Sequence, residues 1–151
     1  MLDPKSAVTD DYSEGYLKEI LTGVTTIALV GASPRADRDS YLTMRVLLER
    51  GYTVFPVNPR ETGNKILGQE CYESLSSISQ AVDMVDIFRS SDAALEITKE
   101  AISIGAKVVW MQLEIVNQQA AQLATAAGLK VVMNRCPKLE FEKPYWTDVL
   151  D

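Results

Sequence analysis

Short apolar runs alternate along this chain with stretches whose apolar residues recur at helical spacing. The runs lie at 27–30, 52–57, 84–88, 107–111 and 129–133. Each is too short for a buried helix and rich in branched or aromatic residues, which predicts strands. Pro56 falls inside the second, where it must avoid a ladder donor. Between them come the helical stripes. Asp10 or Asp11 can begin a helix over about 11–22, with Tyr12, Tyr16, Leu17, Ile20 and Leu21 on one face, placed across the sheet edge. After Ser40, Leu42, Val46 and Glu49 separate from Tyr41, Met44, Leu47 and Leu48, and Gly51 stops the helix. Asp92 begins a third helix burying Ala93, Leu95, Ile97, Ala101, Ile102 and Ile104, closed by Gly105. An alanine-rich fourth runs over 117–127 and closes at Gly128. Residues 61–82 show no long pattern and predict loop, a short strand near 66–67 and one brief helical turn.

Strand and helix alternate almost throughout, and the strands read as continuous apolar runs rather than alternating ones. That combination predicts an α/β domain, a doubly wound five-stranded parallel sheet covered on both faces, of order 3-2-1-4-5. The expected organisation is one domain over 1–151, with a core over about 25–136 and a charged tail over 137–151 that carries Tyr145 and Trp146.

Composition narrows the function classes. With 151 residues the chain is long enough to bury a core without staples, and no apolar run approaches the ~20 residues of a membrane span. The N-terminus lacks the basic-then-apolar pattern of a signal peptide. Two cysteines, Cys71 and Cys136, make no disulfide framework, so the expected compartment is the reducing cytoplasm. A net charge of −6 argues against nucleic-acid binding. The absence of histidine removes the usual imidazole base and the commonest metal ligand, so neither a catalytic centre nor a metal site is expected.

In open parallel sheets ligands sit beyond the carboxyl ends of the strands, where strand order reverses. The residues placed there are Gly31-Ala32-Ser33, Asn58-Pro59-Arg60, Phe88-Arg89-Ser90, Gln112-Leu113 and Asn134-Arg135-Cys136. Five of the seven arginines (Arg35, Arg38, Arg60, Arg89, Arg135) fall in these loops, which in an acidic protein predicts a local anion site. Ser33 and Ser40 can cap and turn the chain and still donate to a phosphate. Asn58 can fix a turn or read a ribose or base. The loop keeps Gly31 of a dinucleotide fingerprint, but Ser33 and Ala36 replace the next two glycines. The second strand ends in Asn58 and Arg60 instead of the acid that holds an NAD ribose, so a phosphorylated ribose is favoured. Cys136, beside Arg135, is either an inert core thiol or one able to pair with a ligand thiol.

Residues 27–40, 56–59, 85–90, 105–113 and 134–138 together resemble, in order, the motifs of the small stand-alone CoA-binding proteins. That family is similar to the CoA-binding domain of the succinyl-CoA synthetase α subunit, and the resemblance covers about 15–143. It implies a Rossmann-like fold and a cleft in which Gly31, Ala32, Ser33, Arg35, Arg38 and Ser40 hold phosphates. It likewise implies that Asn58 and Pro59, next to the cofactor-site candidate Arg60, flank the adenosine, and that Phe88, Arg89, Ser90 and Gln112 line the rest. The chain departs from the family at Glu114, where members often carry glycine; a carboxylate turned inward there would repel a phosphate. The expected function is non-catalytic binding of coenzyme A or an acyl-CoA. The alternatives are an NADP-dependent reductase with Arg60 on the 2′-phosphate, and a nucleotide-responsive module read by a protein partner.

Overall fold

The computed structural model describes residues 11–147. The alternative cap Asp10, residues 1–9 and the end of the tail lie outside that range. Helix α1 (Glu14–Gly23) is followed by β1 (Thr26–Val30), α2 (Asp39–Glu49) and β2 (Thr53–Val57). A small hairpin follows, β3 (Lys65–Ile66) and β4 (Gln69–Glu70), then β5 (Met84–Ile87), α3 (Ala94–Ser103), β6 (Val108–Met111), α4 (Gln118–Ala126) and β7 (Lys130–Val132). Two short helices, α5 (Pro137–Phe141) and α6 (Pro144–Thr147), end the described chain.

The five long strands form one parallel sheet in the order β2-β1-β5-β6-β7, the five-stranded Rossmann-like sheet expected. Side chains alternate between its faces. Ile27, Leu29, Met84, Val108 and Trp110 pack under α1, α2 and α5. Ala28, Val30, Val85, Ile87, Val109 and Met111 face α3 and α4. The sequence-derived order is corrected at one place. The position beyond β2 that 3-2-1-4-5 gives to a third strand holds only a parallel bridge between Val57 and Tyr72. The next strand, β5, instead enters beside β1. The Asp83 carboxylate accepts from the backbone N–H of Thr25 (2.9 Å) and Thr26 (3.3 Å), which fastens the start of β5 to the start of β1. Pro56 keeps its place in β2 because its carbonyl accepts from Tyr72 N on the outer side, where β2 has no full strand to pair.

Three local expectations also shift. Helix α1 is capped by Ser13, whose hydroxyl accepts from Tyr16 N, so Tyr12 precedes the helix. Tyr12 and Tyr16 still serve the sheet edge: their hydroxyls bond Met133 N and the Val131 backbone beside β7. In α3 the fully buried positions are Ala94, Thr98 and Ala101, while Leu95, Ile97 and Ile104 flank them half-buried. Small residues at the centre let α3 lie close against Ala120, Ala121 and Ala124 of α4. The described part of the charged tail, 137–147, docks on its own domain, with Trp146 edge-on to Phe141 (4.8 Å) and the Arg50 guanidinium over Phe141 (4.1 Å). The buried Glu140 accepts from Lys143 Nζ (2.8 Å) and Tyr145 Oη (2.7 Å), tying α5 to α6.

Candidate functional site

The chain winds over one face of the sheet through α2 and over the other through α3 and α4, so the order reverses between β1 and β5. The loops after these two strands therefore part, and a cleft opens above them. Gly31 is where they approach most closely. Its φ is +94°, and a Cβ there would lie 3.2 Å from Phe88 C, Phe88 Cβ and Arg89 Cδ. Only glycine holds that backbone without strain and leaves the space.

The cleft has two lobes, which meet at Gly31, Ser33 and Arg38. One, of about 530 Å³, is lined by Ala32, Arg35, Asn58, Pro59, Arg60 and Arg89, with Glu61 as its one carboxylate. The other, of about 500 Å³, runs between α2 and α5 past Ser40, Thr43, Phe88, Gln112 and Cys136. Its mouth carries Leu113, Ile115 and Leu139, together with Asp39 and Lys138. The first lobe is rich in arginine; the second carries the cleft's large apolar side chains, Phe88, Leu113, Ile115 and Leu139, beside as much polar surface.

Of the thirteen residues the sequence places in the site, twelve line this cleft. Ser90 does not: its hydroxyl accepts from Ala93 N and starts the turn into α3. Asn58 lines the first lobe while bracing it, donating to Ala32 O (2.8 Å) and accepting from Arg60 N (2.9 Å). The amides of Gly31 and Ala32 are already bonded to Val57 O, which extends the β1–β2 ladder. An anion must therefore use the far side of the loop, where α2 begins without a side-chain cap. Ser40, in the first turn of α2, is 5% exposed, and among the described residues its hydroxyl has no hydrogen-bond partner. Arg35 pairs loosely with Asp37 at 3.6 Å, both well exposed. The guanidiniums of Arg38, Arg60 and Arg89 have no partner among the described residues. In this acidic protein three arginines converge on the first lobe of the cleft against the single carboxylate of Glu61, which makes the local field positive.

Behind the cleft wall at Gln112 lies a group that was not legible as part of the site. Asp86 is fully buried between Leu29 and Trp110 in register, and burial pushes its carboxyl well above the usual range. Gln112, with its amide nitrogen assigned to that side, donates to Asp86 Oδ1 at 2.7 Å, which leaves the other carboxyl oxygen to carry the proton. A lone acid inside the run 84–88 was the available signal. Thr43, Lys138 and Leu139 were missed because they enter from α2 and from the chain after β7, which returns beneath α2. The returning loop is pinned by Trp110 Nε1 donating to Arg135 O (2.8 Å). Glu114 stands at φ +67°, the backbone a glycine would hold, and its exposed side chain lies outside both lobes. Among the described residues no group of three His, Cys, Asp or Glu is placed to hold a metal, and no helix is long and apolar enough to cross a membrane.

The architecture is that of a Rossmann-like α/β domain. Residues 25–142 match the CoA binding domain family model, and the chain belongs to that family. It is 35% identical to the uncharacterized protein YneT of Bacillus subtilis (strain 168), over 84% of this chain and 93% of that protein. A hypothetical protein from Pyrococcus horikoshii OT3 is 43% identical and superposes with a TM-score of 0.83, over 89% of this chain and 94% of its own. Acetyl-coenzyme A synthetase 1 of Ca. Korarchaeum cryptofilum matches 75% of this chain with 26% of its own length, at 26% identity and a TM-score of 0.64.

Proposed function

We propose that this protein binds coenzyme A or an acyl-CoA in the two-lobed cleft and has no catalytic centre of its own. The observation that carries the reading is the division of the cleft. A lobe with Arg35, Arg60 and Arg89 suits a phosphorylated adenosine, and a lobe that sets Phe88, Leu113, Ile115 and Leu139 beside the polar Ser40, Thr43 and Gln112 suits a pantetheine arm, which is itself part apolar and part amide. Arg38, Ser33 and the uncapped start of α2 lie where the lobes meet, in place for the pyrophosphate. Family membership supports the same ligand.

Titration calorimetry of ligand-stripped protein with CoA, dephospho-CoA and NADPH tests the reading. CoA is expected to bind, and loss of the 3′-phosphate to weaken it through the arginines of the first lobe. Heat with NADPH but none with CoA would overturn the reading in favour of a reductase. Arg38→Ala should weaken CoA binding by about 1.5–3 kcal/mol if the guanidinium makes a charge-assisted bond to phosphate. An unchanged affinity would remove Arg38 from the site.

A further inference from the structure

Among the described residues that line the second lobe there is one thiol. Cys136 carries it at 5% exposure, and its Sγ lies 3.6 Å from Thr43 Oγ1 on α2. Thr43 is one helical turn beyond Ser40, and both line the lobe. Ser40 is the independent sign that this lobe receives a ligand: its residue is 5% exposed, it lines the lobe, and its hydroxyl, reachable from the cleft, has no partner among the described residues. The thiol is also held in place. Arg135 N donates to Met111 O (3.3 Å), Arg135 O accepts from Trp110 Nε1 (2.8 Å), and Pro137 then starts α5. A thiol on a braced backbone, in the lobe suited to a thiol-terminated arm, is poised for exchange with that arm.

We propose that Cys136 captures CoA from its disulfide form as a protein–CoA mixed disulfide, which makes the cleft a redox-responsive CoA site. The inference rests on the CoA reading given above. CoA disulfide is the co-reactant. The Cys136 thiol gives its proton to solvent, and the thiolate attacks the sulfur of the bound CoA moiety. The S–S bond of CoA disulfide breaks as the Cys136–CoA bond forms. The second CoA leaves as thiolate and takes up a proton, so one disulfide replaces another with no further oxidant. Binding of the nucleotide portion supplies the selectivity, because it raises the local concentration of the reacting sulfur.

Cys71 is the internal control. It lines neither lobe, its Sγ donates to Asn58 O (3.6 Å) and Tyr72 O (3.9 Å), and burial pushes its thiol up. The experiment treats the protein with CoA disulfide or glutathione disulfide, maps the adducts by mass spectrometry, and titrates reduced CoA by calorimetry in parallel. One CoA is expected on Cys136 and none on Cys71, forming at least about tenfold faster than the glutathione adduct because only CoA docks first. Cys136→Ser should abolish the adduct, while Cys71→Ser should keep it. Arg38→Ala should slow CoA transfer toward the glutathione rate. Calorimetric CoA binding with Cys136 unmodified, or equal rates for the two disulfides, would overturn the capture and leave the binding site standing. No heat with CoA would remove both.

Discussion

Gly31→Ala is expected to abolish CoA binding and to lower the melting temperature. At φ +94° a residue with a Cβ costs about 1–3 kcal/mol in backbone strain. In a chain of this size each kcal/mol moves the midpoint by about 2–4 °C. The new methyl also falls 3.2 Å from the Phe88 backbone and Cβ and from Arg89 Cδ, and relief must come from those residues. Phe88 lines the second lobe and Arg89 the first, so one displacement disturbs both walls. Gly128→Ala separates strain from site damage. Its φ is +90°, but its Cβ would meet nothing within 4 Å. That variant should lose stability by strain alone and bind CoA as the parent does. Thermal scans and calorimetry on both proteins decide the matter. A Gly31→Ala protein that binds CoA normally would show that the loops after β1 and β5 do not form the ligand's seat.

What the sequence displayed plainly is what local chain chemistry controls. Parallel strands buried on both faces must be apolar along their length, so 27–30, 84–88 and 108–111 stand out as strands without any tertiary information. The strand-end loops were legible for a related reason, since each lies next in sequence to a recognisable strand. Strand order was not fully legible, because it depends on long-range fastening such as Asp83 to Thr25 and Thr26. Nor was one wall of the second lobe, because Lys138 and Leu139 reach it only when the chain after β7 folds back beneath α2. Residue type also left roles open that packing decides. Ser90 is a cap, and Asn58 is a brace as well as a wall. The half-buried flank of α3 shows the same limit: the periodicity marks the apolar residues but not which of them touch α4.

Asp86→Asn is expected to stabilise the protein at neutral pH by an amount that grows as pH rises. A carboxyl in the unfolded chain has a pKa of about 3.9, whereas burial holds the folded Asp86 well above that value. Between the two values the folded protein keeps a proton that the unfolded chain has shed. Stability contributed by Asp86 is therefore complete below the unfolded value and falls as pH rises toward the folded one. The slope reaches about 1.4 kcal/mol per pH unit. Asparagine occupies the same volume, can accept from the Gln112 amide, and has no proton to lose. The two proteins should lie close together near pH 4 and diverge as pH rises until the folded Asp86 sheds its proton, as read by denaturant midpoints across a pH series. Every other titrating group is common to both and cancels in the difference. A gap that stays constant with pH would mean that folded Asp86 does not retain its proton. A buried acid that destabilises the domain near neutrality stands directly behind Gln112, on the wall of the second lobe. Departures of that kind from good core chemistry concentrate at functional sites. The acid thus lies one side chain behind the cleft wall, through Gln112, and points to that wall independently of the arginines.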